Sequence, residues 1–272
     1  MKESFYGRIE QMQADNDVAR HVEEITMRGF TIVPNLFTAK ELAKWREKID
    51  AVYARQEAEF GLDALISIQE LDMCRAPLLY NFEFIRLAAH PLILSVVQQL
   101  LGDWFILNLQ NAIINRPNKI HHQSSWHRDL PYQNWVISRP LAISALFAID
   151  EFSEMTGGTH VLPFTHKTEV LPSDAYIVSN RVVAAAPAGS AIVFDSMLFH
   201  RAGANKSPNI RRAVNNIYTT PILKQQYDFP RALGDHLDLE PSIARLLGYT
   251  SQVSMNDREW RKARAARILA SK

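Results

Sequence analysis

The sequence predicts a mainly β domain with flanking α-helices, in the form of a β-sandwich or jelly roll. Three observations carry that expectation. Four segments between residues 104 and 221 are dense in aromatic and β-branched residues. Turn-rich pieces such as "EMTGGTHVLPFTHK" and "AAAPAGS" join them. The stretches on either side carry helical caps and helical spacing instead. No internal repeat, low-complexity stretch or Gly/Ser linker interrupts the 272 residues. They read as one domain, with a helical part to about residue 103, a strand-rich core over about 104–222 and a tail that returns to helix.

The elements follow in chain order. "DNDVARHVEEITMRGF" offers Asp15 or Asn16 as an N-cap, an apolar stripe, and Gly29 as a stop. "FTIVPNLF" is a short strand. "TAKELAKWREKIDAVYARQEAEFG" opens on Thr38 with Glu41 three residues on, which is a capping box, and closes on Gly61. "PLILSVVQQLL" (91–101) keeps helical character up to Gly102. Then come the strand-like "WFILNLQNAIINRP", "PLAISALFAID" (140–150), "SAIVFDSMLFH" (190–200) and "RRAVNNIYTTP" (211–221). From about residue 238 the chain reads as helix again, and the basic, amphipathic "DREWRKARAARILASK" is expected to be a helix packed on the core by one face.

Composition narrows the function classes. Hydrophobic residues make up 47% and charged residues 22%, the balance of an ordinary globular protein with a sizeable core. The net charge is +1, from 30 basic and 29 acidic residues, and no long block has one sign, so neither nucleic acid nor an anionic membrane surface is expected as a partner. The polar start "MKESFYGRIEQMQADND" lacks the apolar core of a signal peptide, and no apolar run reaches the roughly 18 residues of a membrane span. A cytosolic location is the expectation. Cys74 is the only cysteine, which rules out an internal disulfide, a thiolate zinc cluster and a CxxC redox pair. Any metal must be held by His, Asp or Glu.

One short stretch points to such a metal. In "SSWHRDLPYQ" (124–133), strand alternation puts His127 and Asp129 on one face and Arg128 on the other. A histidine nitrogen beside a carboxylate oxygen is half of a metal site; non-heme iron(II) takes two histidines and one carboxylate on one face. Of the other histidines, His200 leads, because it ends the apolar "AIVFDSMLFH" and is pressed against the core. His121, His122, His160 and His166 sit in loops or turns, and His21, His90 and His236 in helical or loop contexts. Taken alone, His127 and Asp129 are equally a satisfied polar pair.

The wider pattern resembles the phytanoyl-CoA dioxygenase family of iron(II)- and 2-oxoglutarate-dependent oxygenases. "GFTIVPNLFTAKEL", "LNLQNAIINRP", "WHRD", "AIDEFSEMTGGTHVLPFTHK" and "PAGSAIVFDSMLFHRAGANKS" occur in the family's order, followed by an arginine. The resemblance implies a double-stranded β-helix, the cupin-like form of jelly roll. It places the iron ligands on His127, Asp129 and His200, 73 residues apart at the extremes (200 − 127). It places the arginine for the 2-oxoglutarate side-chain carboxylate on Arg211, a role suited to a planar, always charged guanidinium. Arg212, of opposite parity, is expected to be a solvated surface residue. Gln110 is the nearest counterpart of an amide that touches the cosubstrate's other carboxylate. Two positions depart from the family: Ala202 stands where many members carry a hydroxyl, and Arg201 where glycine is common.

The implied reaction uses O2 to hydroxylate a small molecule, with 2-oxoglutarate decarboxylated to succinate. Asp129 favours hydroxylation over halogenation, since related halogenases have a small residue there. Tyr132 and Trp135, together with "GLDALISIQELDMCRAPLLYNFE" (61–83), are expected near the mouth as substrate contacts. A metal-binding jelly roll that does not use 2-oxoglutarate, such as a cupin-like isomerase or hydrolase, and a non-catalytic binding protein are the competing readings. Arg211 has less reason to exist in the first, and the intact ligand set argues against the second. The sequence selects neither a substrate nor an oligomeric state.

Overall fold

The computed structural model describes residues 2–270 except 5, 6, 120, 131, 236 and 237; His236 therefore lies outside the described residues. Its strands are β1 (Lys2–Ser4), β2 (Gly7–Ile9), β3 (Phe30–Val33), β4 (Met73–Arg75), β5 (Ile106–Asn115), β6 (Ala142–Ala148), β7 (His160–Val161), β8 (Val182–Val183), β9 (Ala191–Asp195), β10 (His200–Arg201) and β11 (Arg211–Thr219). β1 and β2 pair as a small hairpin. A six-stranded sheet runs β3-β9-β6-β11-β5-β4 and a three-stranded sheet runs β10-β7-β8, with every pairing antiparallel. A bridge between His127 and His200 adds the His127 segment to the outer edge of the small sheet. Two antiparallel sheets fed alternately by one chain make the expected double-stranded β-helix.

Alternation along the strands sorts side chains into two layers. Ile143, Ala145 and Phe147 of β6, Ala191 and Val193 of β9, and Val214 and Tyr218 of β11 face the helices. Leu146, Ala148, Ile192, Phe194 and Ala213, the alternate residues, face the small sheet and meet Val161, Ala184, Ala186 and Leu198. Burying each large apolar side chain contributes roughly 1.5–3 kcal/mol, so this parity is strongly fixed.

The helices form where their caps are. Helix α1 (Asp17–Arg28) starts on Asn16, whose Oδ1 accepts from Ala19 N at 2.9 Å, and ends on Gly29 at φ 94°. A β-carbon on Gly29 would come within 2.7 Å of His166 and Leu198, so both backbone and space require glycine. Helix α2 (Ala39–Phe60) opens on the Thr38–Glu41 capping box and buries Leu42, Trp45, Ile49, Val52 and Tyr53 at helical spacing. With the Pro91–Leu101 helix it covers the outer face of the large sheet. Among the described residues no single helix is long and apolar enough to cross a membrane.

Three sequence expectations need correction. "SAIVFDSMLFH" is not one strand: β9 ends at Asp195, whose Oδ1 accepts from Met197 N at 2.9 Å and turns the chain into the other sheet as β10. Its apolar residues suit either path, because both are buried. The Asp257–Ala270 helix forms, but its described side chains are exposed rather than packed on the core. Arg212 has the expected parity but not the expected setting. It faces α2, donates to both Asp50 oxygens at 2.8 Å, and reaches Asp150 Oδ2 at 3.2 Å. That makes it a tie between helix and sheet, and Arg212→Ala should lower stability by about 1–2 kcal/mol in denaturant unfolding, since charged hydrogen bonds this sheltered exceed open surface pairs.

Candidate metal centre

His127 and His200 are joined through their backbones, each N–H donating to the other's carbonyl at 3.0 Å. Asp129 N donates to Ser196 O at 3.1 Å, which fixes the segment beside the β9–β10 turn. In this pairing His127 and Asp129 point together toward His200. Arg128 points away, with Nε donating to Met197 O at 2.9 Å and its guanidinium over the Phe199 ring. The ligand atoms of His127, Asp129 and His200 all lie within 4.8 Å of one another, and among the described residues no other His, Cys, Asp and Glu groups gather this way. His160, His166, His121 and His122 do not belong to this group.

Hydrogen bonding leaves one free atom on each side chain. His127 Nδ1 bonds Ser125 O at 2.8 Å and His200 Nδ1 bonds Leu198 O at 3.0 Å. A carbonyl accepts, so each Nδ1 carries the proton and each Nε2 keeps its lone pair for a metal. Asp129 Oδ2 accepts from Ser144 Oγ at 2.6 Å and Asn215 Nδ2 at 3.3 Å, while Oδ1 lies 3.4 Å from His200 Nε2. Ser144 Oγ also bonds Ser196 Oγ at 2.8 Å. The result is two imidazole nitrogens and one carboxylate oxygen converging from three segments.

Electrostatics fit a cation between them. Burial, with help from His200, pushes His127 down to about 4 and keeps it neutral. Burial opposes charge on Asp129 as well, but His200, His127 and the Ser144 hydroxyl outweigh it and hold the carboxyl well below the usual carboxylate range. Asp129 in turn lifts His200 against its burial.

The cluster opens into a cavity that also contains Arg211, Asn215, Ile113 and Gln123. Arg211 is 2% exposed, donates from Nη2 to Gly157 O at 2.9 Å and lies over the Phe152 ring. Gly157 and Gly203 make this possible: a β-carbon on Gly157 would sit 2.6 Å from Gly203 O. Arg211 Nε has no partner, and among the described residues no carboxylate pairs with the guanidinium. Burial drags it down to about 10, still charged at neutral pH.

Three other expected site residues lie outside this cavity. Gln110 lies on the helix side of β5, donating to Phe84 O and Asn216 Oδ1. It is one register step from the interior; Ile113 lines the cavity, so Asn111 and Asn115 share the interior face. Tyr132 is 95% exposed and Trp135 47% exposed, and neither lines the cavity. Sequence reading missed Ser144, Ser196 and Asn215; the usable signal, for Ser144, was a polar residue at interior parity in the otherwise apolar β6.

The phytanoyl-CoA dioxygenase family matches residues 26–213. That span covers more than half of the sequence. The chain belongs to the phytanoyl-CoA dioxygenase family. This is a family of iron(II)- and 2-oxoglutarate-dependent oxygenases. An uncharacterized protein of Mycobacterium tuberculosis is 35% identical over 238 residues, covering 84% of this chain and 85% of its own. Among solved structures, EctD from S. alaskensis, crystallised with 2-oxoglutarate and 5-hydroxyectoine, is similar with a TM-score of 0.63 at 21% identity, over 75% of this chain and 76% of that one. The epimerase SnoN from nogalamycin biosynthesis is similar with a TM-score of 0.58 at 20% identity, over 75% and 83%. These likenesses show the chain to have the double-stranded β-helix fold.

Proposed function

We propose that the protein is an iron(II)- and 2-oxoglutarate-dependent dioxygenase that hydroxylates a C–H bond of a small molecule. One observation carries the reading: a two-histidine, one-carboxylate donor set shares a cavity with a buried arginine that forms no ion pair among the described residues and whose Nε has no partner. A metal-only jelly roll accounts for the first half and leaves a buried guanidinium unexplained, at a cost of several kcal/mol. The donor chemistry fits iron(II): His127 Nε2, His200 Nε2 and Asp129 Oδ1 would hold it and leave the other positions open.

Iron and 2-oxoglutarate together supply O2 activation, with 2-oxoglutarate oxidised and decarboxylated to succinate and CO2 while the second oxygen atom goes to substrate. The protein's own contribution is geometry. Ser144 and Asn215 occupy Asp129 Oδ2 and so restrict the carboxylate to one-atom binding. The backbone pair between His127 and His200 fixes the spacing of the imidazoles. Arg211 orients the cosubstrate by its far carboxylate, and Ile113, Leu146 and Phe194 keep water from the metal-facing wall. Asp129 fills the position an added chloride would need, which favours hydroxylation over halogenation.

The test is a metabolite screen for substrate-stimulated succinate formation with iron(II) and ascorbate, followed by product mass under labelled O2. One added labelled oxygen atom in the product is expected. A chlorinated product, or an isomerised one of unchanged mass, overturns the hydroxylase reading; no succinate with any substrate overturns the use of 2-oxoglutarate.

A further inference from the structure

A second orphaned donor lies close to Arg211. The turn His122–Ser124 that precedes the metal-binding segment docks on the small sheet, with Ala202 N donating to Gln123 O at 2.8 Å. His121 caps that turn: its Nδ1 accepts from Gln123 N at 3.2 Å. A nitrogen that accepts carries no proton, so in the neutral ring the proton is on Nε2. Burial, chiefly, with the charges of His122, Arg211 and His127, pushes His121 down to about 3, so the ring stays neutral. Nε2 is buried with no hydrogen-bond partner, in a residue only 8% exposed. An N–H in that state costs about 1–3 kcal/mol unless something accepts from it.

The position narrows what accepts. His121 lines a cleft with Asn115, Arg116 and Lys119, and Asn115 is the register partner of Arg211 across β5 and β11. Arg116 is already paired with Asp72 at 2.6 Å. Gln123, bonded to His121, lines the metal cavity beside Arg211 and Ala202. The Ala202 side chain in that wall has no donor to offer. His121 Nε2 and Arg211 Nε are thus two unsatisfied N–H groups on neighbouring segments, linked through Asn115, the register partner of Arg211, and through Gln123, which bonds His121 and lines the cavity of Arg211.

We infer that His121 is a second hydrogen-bond donor to the carboxylate that Arg211 holds, so that the far end of 2-oxoglutarate is bound by an arginine and a neutral histidine. This rests on the proposed use of 2-oxoglutarate. The carboxylate has acceptor sites for both donors, and a neutral imidazole adds a hydrogen bond without a second buried cation.

The experiment is anaerobic calorimetric titration of the metal-loaded protein with 2-oxoglutarate and with 2-oxobutanoate, which lacks the far carboxylate. His121→Ala should weaken 2-oxoglutarate about tenfold and leave 2-oxobutanoate unchanged, a selectivity that general damage would not produce. His121→Gln, which keeps an N–H where Nε2 stands, should bind nearly as the parent does. His121→Asn, which keeps one only where Nδ1 stands, should behave like alanine; the pair decides the matter if alanine folds poorly. Equal weakening of both ligands, or none, overturns the inference. If Arg211→Ala leaves 2-oxoglutarate binding intact as well, the proposed cosubstrate falls with it.

Discussion

His200→Ala should leave the protein folded and unable to retain iron. The imidazole supplies one of three donor atoms, and its Nε2 has no substitute within the cluster. Disturbing only the groups that orient a metal ligand costs about 10–100-fold in affinity, so loss of the ligand itself should exceed about a hundredfold. Ser144→Ala provides the calibration. It removes the 2.6 Å bond that restrains Asp129 Oδ2 and should fall within that smaller range. Anaerobic iron titration of both variants, with circular dichroism to check the fold, measures the difference. Iron bound as tightly by His200→Ala as by the parent would remove His200 from the ligand set.

Arg211→Ala should weaken 2-oxoglutarate by roughly one to two orders of magnitude. A charged hydrogen-bonded pair is worth about 1.5–3 kcal/mol, and about 1.4 kcal/mol is tenfold in binding. Iron affinity should hold, because Arg211 makes no contact with the three ligands; its bond goes to Gly157 O. Arg211→Lys should recover little, since an ammonium cannot present two parallel donors and would lose the stacking on Phe152. Arg212→Ala supplies the control. Its expected loss is in unfolding free energy, with 2-oxoglutarate affinity unchanged, because that side chain is committed to Asp50 and Asp150 on the opposite face. Loss of affinity in Arg212→Ala instead would put the strand register in error by one.

Local chemistry was the most legible part of the sequence. Asn16, Thr38 with Glu41, and Gly29 mark helix ends through contacts no more than four residues away, and each cap forms. Strand parity was legible wherever it could be anchored: alternation puts Arg211 and Arg212 on opposite faces, and the family resemblance selects Arg211 as the inward one. Gln110 shows the failure. All ten residues of β5 are buried, so hydrophobicity carries no sign of which face is interior, and a resemblance without a fixed register misses by one. Short strands were illegible for a different reason. β7, β8 and β10 have two residues each and exist because neighbours from distant segments hold them. Tyr132 and Trp135 lie exposed outside the cavity wall, and aromaticity alone does not separate a cavity wall from an exposed loop.

The hydrogen bonds between His127 and His200 also bear on the order in which the molecule is made. The two residues lie 73 positions apart (200 − 127), and Asn215, which steadies Asp129, comes later still. Closing a loop of that length is paid for by the sheets as a whole, since two hydrogen bonds cannot offset it. Metal therefore has nothing to gather in the unfolded chain and finds its ligands only after both sheets have met. Iron is thus a late arrival rather than a template: starvation for it should leave a store of folded, empty protein that iron returns to service without a round of refolding.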